Sequence, residues 1–285
     1  MTLPTTSMPA LPKPKPTLAG VLRTLLVKFL FGFGLLIVLI ALWQFGTSTW
    51  KSLFFPPPST IWDSILKTFF SGEPDTLFLT KAMTVDVASS LGRLLVGFVL
   101  GSIVGVLIGT AIGRSMALRE VTDPIVEFLR SIPATATLPL FIILLGGDDG
   151  MRVAFIAYAV MWFVLINTAA GVSAIHPTVI DVGRAFRIPR WKVLLRMVIP
   201  AAMPTIFAGL RIGATVSLLA AVVSELMLAT NGIGYRLVLA QTGFRMAELW
   251  AWIILLAIIG FLINTLMEVL ERRLLGWHRL ARVTG

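Results

Sequence analysis

The apolar residues of this chain arrive in long runs, separated by short clusters of charge, proline and glycine. Near-continuous runs cover about 27–45, 87–112, 123–147, 152–174, 200–229 and 249–270. Each is close to the roughly 20 residues that a helix needs to cross about 30 Å of hydrocarbon. The pattern predicts an all-α polytopic membrane bundle of about six transmembrane helices. Residues 1–20, rich in Pro, Thr and Lys without apolar period, read as a disordered tail. Residues 21–285 then form a single membrane domain.

Two runs carry internal structure. In the second, Gly97, Gly101, Gly105, Gly109 and Gly113 recur every four residues, forming a ridge that lets another helix approach closely, so this is a packing face. In the third, Pro133 and Pro139 remove backbone donors, with Ser131, Thr135 and Thr137 around the breaks. Interrupted backbone at membrane depth is tolerated where it is buried in protein or lines a watery path. A pathway element and a simple kinked helix both fit.

The segment 56–72, PPPSTIWDSILKTFFSG, is too short and too polar to cross. Ile61, Ile65 and Phe69 recur every four residues, as do Trp62, Leu66 and Phe70, and Asp63 and Lys67 make a favourable helical pair. A helix in the membrane interface and a short helix packed on the bundle are equally compatible with it. GGDDGM (146–151) reads as a turn, and TNGIGYRLVLAQTGFR (230–245) as a loop.

Composition supports the membrane reading: 57% of residues are hydrophobic and 13% charged, with mean hydropathy +0.91. A soluble domain of this size exposes far more charge. The net charge of +10 does not mark a nucleic-acid binder, because the basic residues sit at the edges of apolar runs. Fifteen Lys and Arg fall on the side of both termini, the Arg114 loop and the 181–204 segment, against six on the other side. That asymmetry predicts cytoplasmic termini. No cysteine is present, the two histidines are far apart, and no metal-ligand spacing or Ser-His-Asp cluster is visible. No Gly-Lys dipeptide occurs, so the chain has no P-loop. An ion-gradient transporter would predict an inverted repeat and a buried acidic coupling site; no repeat is seen, and Glu225 is the one acid well inside a clear span. A non-transporting scaffold is the remaining alternative.

Between the fourth and fifth runs lies DVGRAFRIPRWKVLLRMVIPAAMP, longer than a connector requires. Phe186, Ile188 and Trp191 interleave with Arg184, Arg187, Arg190 and Arg196, and Pro189 favours a turn between two short helices. Aromatic and Arg residues are enriched at protein interfaces; a basic loop resting on anionic headgroups is the other reading. Ionisable groups inside runs are functional candidates: Arg93, Arg130, Arg211 and Glu225. The arginines could attract an anion, pair with Glu127 or Glu225, or snorkel. Thr215, Ser217 and Ser224 could line a path from the fifth run.

The 181–204 segment resembles the EAA loop of ABC importer permeases, with Asp181, Val182 and Gly183 at the Glu-Ala-Ala positions, then PRW (189–191) and VIP (198–200). DPIVEFLRSIP, AGLRIGATVSLLAAVVSELM, NGIGY and LERRLLGWHR are similar to the nitrate/sulfonate/taurine/bicarbonate-type subfamily, over about residues 50–280. The resemblance implies a type I importer permease of the bacterial inner membrane. Its coupling loop spans about 176–198, with Asp181, Gly183, Arg184, Ala185, Phe186, Arg187, Ile188, Pro189, Arg190 and Trp191 as contact residues. It also implies a cytoplasmic ATPase dimer that binds ATP and Mg, a second permease subunit forming a homodimer, and an extracytoplasmic solute-binding protein. This chain itself would hold no cofactor. The translocation path would draw on Arg93, Arg130, Ser131, Thr135, Thr215, Ser217, Ser224 and Glu225. One departure stands out: Arg187 occupies the family's glycine position, where arginine is costly unless the turn is remade.

Overall fold

The computed structural model describes residues 18–50 and 52–275, and no strand occurs among them. The tail predicted over 1–20 lies mostly outside that range, but its last three residues already belong to α1, Leu18–Trp50. The described chain divides after Thr60 into two units. In the first, α1 is followed by an irregular stretch in which the Gln44 side chain accepts from the Ser59 amide at 3.0 Å and donates to its hydroxyl at 3.1 Å. This closes the turn into α2, Pro58–Phe69.

The second unit is a helix bundle. After a π turn at Ala82–Asp86, α3 runs Val87–Gly113, then come α4 (Met116–Ser131), α5 (Ala134–Leu145), α6 (Asp149–Ser173) and α7 (Pro177–Ala185). The chain continues as α8 (Arg190–Val193), a π turn (Leu194–Val198), α9 (Ile199–Glu225), α10 (Ile233–Thr242) and α11 (Met246–Leu274). Among the described residues, five helices are long and apolar enough to cross a membrane, and α4 with α5 makes a sixth if counted as one broken span.

Three expectations are corrected. The third run is no simple kinked helix: α4 and α5 meet at 88°, because Pro133 has no amide to donate and holds Ile132 extended (φ −73°, ψ 118°). The stretch 230–245 is not merely a loop, since α10 occupies ten of its residues. The helix that carries the fifth span does not begin near Pro200 but already at Arg190, giving a helical rod of 36 residues, about 54 Å long. The local π turn sits where Pro200 cannot donate, which relaxes the ladder without ending the helix.

The core is α3, α6 and α9, with Phe155, Ile156, Val160 and Val164 of α6 completely buried between its neighbours. The glycine ridge packs as predicted. A Cβ at Gly101 would stand 2.5 Å from the Ala157 carbonyl oxygen, and one at Gly109 2.5 Å from that of Leu165. Both obstacles are backbone, so they cannot rotate away. Gly101→Leu is therefore expected to separate α3 from α6 and to cost about 3 kcal/mol or more, read as a lowered midpoint in thermal unfolding of the detergent-solubilised chain.

Candidate functional site

The 181–204 segment folds as two helices joined by a tight turn. His176 caps α7, its Nδ1 accepting from the Thr178 amide at 3.3 Å, and Pro177 starts the first turn without a wasted donor. At the other end, the Arg187 amide donates to the Arg184 carbonyl (3.0 Å) and the Ile188 amide to the Gly183 carbonyl (2.9 Å). That pair of bonds is a Schellman motif, whose turning residue must be left-handed. Arg187 is that residue, with φ 51°. The turn is therefore kept rather than remade, and arginine accepts the strain that glycine avoids. Arg187→Gly should relieve about 1 kcal/mol, seen as exchange about fivefold slower at the amides of positions 187 and 188. A Cβ at Gly183 would lie 2.7 Å from Val193 Cγ2, which is how closely α7 folds onto the rod.

This geometry leaves the aromatic side chains of the turn outside. Phe186 is 76% exposed and Trp191 59%, with Lys192 Nζ 5.4 Å from the Trp191 ring centroid. Arg184, Ala185's flanking turn, Arg187 and Arg190 are exposed, while Pro189 caps α8. Asp181 bonds Arg184 at 3.2 Å, but the pair is solvent-exposed and worth little.

At the opposite end of the rod is an ionic network, buried at Arg93, Arg152, Glu225 and Asp86 and reaching the surface at Asp149. Arg93 (α3) donates to Glu225 (α9) at 2.8 Å and to Asp149 (α6) at 3.0 Å, and also bonds the Asn231 side chain. Glu225, fully buried, further accepts from the Ser90 hydroxyl at 2.8 Å and from the Gly234 amide at 3.0 Å. Asp86 accepts from the Gly232 amide (2.9 Å) and Arg236 Nε (2.7 Å); Arg152 joins Asp149 (3.0 Å) to the Leu228 carbonyl (2.9 Å). Three arginines balance three carboxylates, so the network closes electrically while tying α3, α6, α9 and α10 together. NGIGY is shaped by it: a Cβ at Gly232 would lie 2.5 Å from the Glu225 carboxyl carbon, and Gly232 itself has φ 112°.

The predicted path residues divide. Arg93 and Glu225 pair with each other, and Ser217 and Ser224 are fully buried with hydroxyls donating to Ala214 and Ala221 carbonyls. Arg211 donates to Asn264 at 3.0 Å, linking α9 to α11. Thr215 faces outward from α9. Arg130, bonded to Glu127 at 3.0 Å, and Thr135 line a cleft of 420 Å³ at the α4–α5 break, while Ser131 lies exposed beside it. Trp162, Phe163, Asn167 and Leu219 form its walls.

Sequence reasoning missed Asp86, Ser90, Asp149, Arg152, Asn231 and Arg236. A signal existed, because Arg93 lies four residues ahead of Gly97 and so extends the glycine ridge that faces α6. GGDDG is also more than a turn: Asp148 caps α6 by accepting from Met151 at 2.9 Å, which delivers Asp149 to the arginines.

Comparison with known proteins agrees with this architecture. Residues 97–276 match the family model described as binding-protein-dependent transport system inner membrane component. The chain is 30% identical to the putative aliphatic sulfonates transport permease protein SsuC of Bacillus subtilis, over 85% of each chain. It is 31% identical to the taurine transport system permease protein TauC of Escherichia coli, over 86% of this chain and 88% of the relative. The nitrate import permease protein NrtB of Synechocystis is 30% identical, over 82% and 85% respectively. Among solved structures, a bacterial alginate ABC transporter chain superposes with TM-score 0.61 at 17% identity, covering 88% of this chain and 96% of that one. A MetNI methionine transporter chain gives 0.59 at 16%, covering 69% and 99%. With 97–276 matching the family model and relatives at 30% identity along most of its length, this chain belongs to the binding-protein-dependent transport system inner membrane components: it is a permease subunit of an ABC importer, and not itself an enzyme.

Proposed function

We propose that the chain carries a small organic or inorganic anion across the bacterial inner membrane and is driven through the 181–191 turn by a separate ATPase. The observation that carries the coupling half is the exposed Phe186–Trp191 pair, mounted on a strained turn that leads without interruption into the rod ending at Glu225. A cytoplasmic ATPase dimer holding ATP and Mg grips Phe186 and Trp191 with the surrounding arginines. When its two states hold the turn differently, the rod shifts as one body, and its far end is where the ionic network sits. A second copy of the chain completes the path, and a solute-binding protein delivers solute on the far side. The excess of Lys and Arg around the termini and the turn supports a cytoplasmic position for both.

The solute half rests on the cleft at the α4–α5 break, where Arg130 and Thr135 meet a mostly apolar wall. It also draws on the sulfonate, taurine and nitrate named for the relatives. Deleting the gene in its host and following uptake of radiolabelled taurine, an alkanesulfonate and nitrate tests this. Loss of uptake of one of them is expected; unchanged uptake of all three would refute the anion assignment.

A further inference from the structure

Helix α2 and the loop behind it carry a second apolar surface that the bundle does not use. The stripe of Ile61, Ile65 and Phe69 packs inward, and Phe69 meets Trp252 edge-on with ring centroids 4.8 Å apart. Trp252 lies six residues inside the end of α11, about 9 Å along it, so α2 lies beside the spans rather than beyond their ends. The other stripe, Trp62, Leu66 and Phe70, points away, 61%, 43% and 51% exposed.

The loop 72–80 extends this surface in an unusual way. Leu77 and Phe78 are both left-handed (φ 55° and 62°), yet both are large, apolar and exposed. Two successive non-glycine residues in that region persist only where their surroundings enforce them. Here the loop is closed by its own hydrogen bonds. The Gly72 amide donates to Phe78 (2.8 Å), Leu77 to Pro74 (3.1 Å), Phe78 to Glu73 (3.1 Å), Leu79 to Thr76 (3.0 Å) and Thr80 to Phe69 (3.1 Å). The Thr76 and Thr80 hydroxyls donate to the Leu79 and Thr68 carbonyls at 2.7 and 2.6 Å. A loop in water does not need this internal satisfaction, whereas one in a water-poor layer does. Gly72 is required, since a Cβ there would stand 2.1 Å from the Leu79 carbonyl oxygen.

We propose that Trp62, Leu66, Phe70, Leu77 and Phe78 form a foot that rests in the interfacial layer of the bilayer, the aromatic rings at headgroup level. The occupant is lipid because α2 packs through Phe69 on Trp252 of α11, an apolar helix long enough to span a membrane whose residues Ile258, Phe261 and Leu262 are themselves 50–68% exposed. Asp63, Lys67, Glu73, Asp75 and Lys81 nearly cancel in charge, so apolar area rather than attraction to anionic lipid holds the foot. The carboxylates of Glu73 and Asp75 keep it from sinking into hydrocarbon.

The chain has no cysteine, so single nitroxide labels can be placed cleanly. Full-length protein labelled at Trp62→Cys, Leu77→Cys, Phe78→Cys or Asp75→Cys is reconstituted into phosphatidylcholine vesicles, with and without phosphatidylglycerol. Collision rates with oxygen and with a water-soluble nickel complex are then measured by power saturation. The foot predicts oxygen exceeding nickel at 62, 77 and 78, the reverse at 75, and no change on adding phosphatidylglycerol. Gly72→Ala, with its label at Phe78→Cys, should restore nickel access as the loop opens. Nickel access at 62, 77 and 78 equal to that at 75 would overturn the proposal. Low access to both reagents would also overturn it, showing that protein, such as a second copy, covers the surface. The Trp62 label sits on a helix that does not depend on the strained loop, so a disturbed loop still leaves a decisive reading.

Discussion

Glu225→Ala is expected to destabilise the chain by about 3 kcal/mol, the cost of stripping buried Arg93 of its one fully buried carboxylate partner. Arg93, 6% exposed, would keep only Asp149 and Asn231, and the Ser90 hydroxyl and Gly234 amide would each lose an acceptor. Glu225→Gln, which retains an acceptor oxygen, should lose less. The pairing itself is tested by a cycle with Arg93→Met. In the double variant Arg93→Met/Glu225→Leu, part of the loss should return, giving a coupling of at least about 1 kcal/mol between the sites. Thermal unfolding in detergent reads all four proteins. Additive losses would mean that the two side chains do not act as a pair.

The second large effect belongs to the turn at the other end of the rod. Phe186→Ala and Trp191→Ala each remove an aromatic that is mostly exposed, so folding should change little. As interface anchors, each should weaken ATPase binding by about 2 kcal/mol, roughly thirtyfold. In vesicles containing both proteins, ATP hydrolysis would continue while solute uptake falls. Arg190→Glu combined with Trp191→Ala should abolish uptake while leaving membrane insertion intact. Normal uptake in that double variant would count heavily against the turn as the point of coupling.

Much of the bundle was legible because lipid imposes a simple rule: every backbone group must bond internally, so spans announce themselves as apolar runs. The glycine ridge was legible for the same kind of reason, since a step of four on a helix can only be one face. The 88° break was half-legible, because Pro133 shows that the ladder fails there but not through what angle. Helix α10 was missed because Gly232 just before it and Gly234 inside it make its start look like a loop. Its start is set by Asp86, which accepts from the Gly232 amide, and by Ser90, which accepts from the Ile233 amide and donates to Glu225, each from more than 130 residues away. The network was visible only in part. Arg93 and Glu225 stood out as charges inside apolar runs, but Asp149, Arg152 and Arg236 looked like ordinary loop charges. Only the folded chain brings them into one closed set. Arg187 shows the reverse case: the sequence marked a glycine position filled by arginine, and the turn is made all the same.

Coupling through the 181–191 turn requires a separate ATPase that grips it. The most direct test is gentle solubilisation from native membranes, purification on this chain, and mass spectrometry of what accompanies it, for the native protein and for Arg190→Glu/Trp191→Ala. A P-loop ATPase is expected in stoichiometric amount with the native chain and to be lost from the variant, both chains being monodisperse. A folded, monodisperse native chain that reproducibly carries no ATPase, or a variant that retains it fully, would contradict the account.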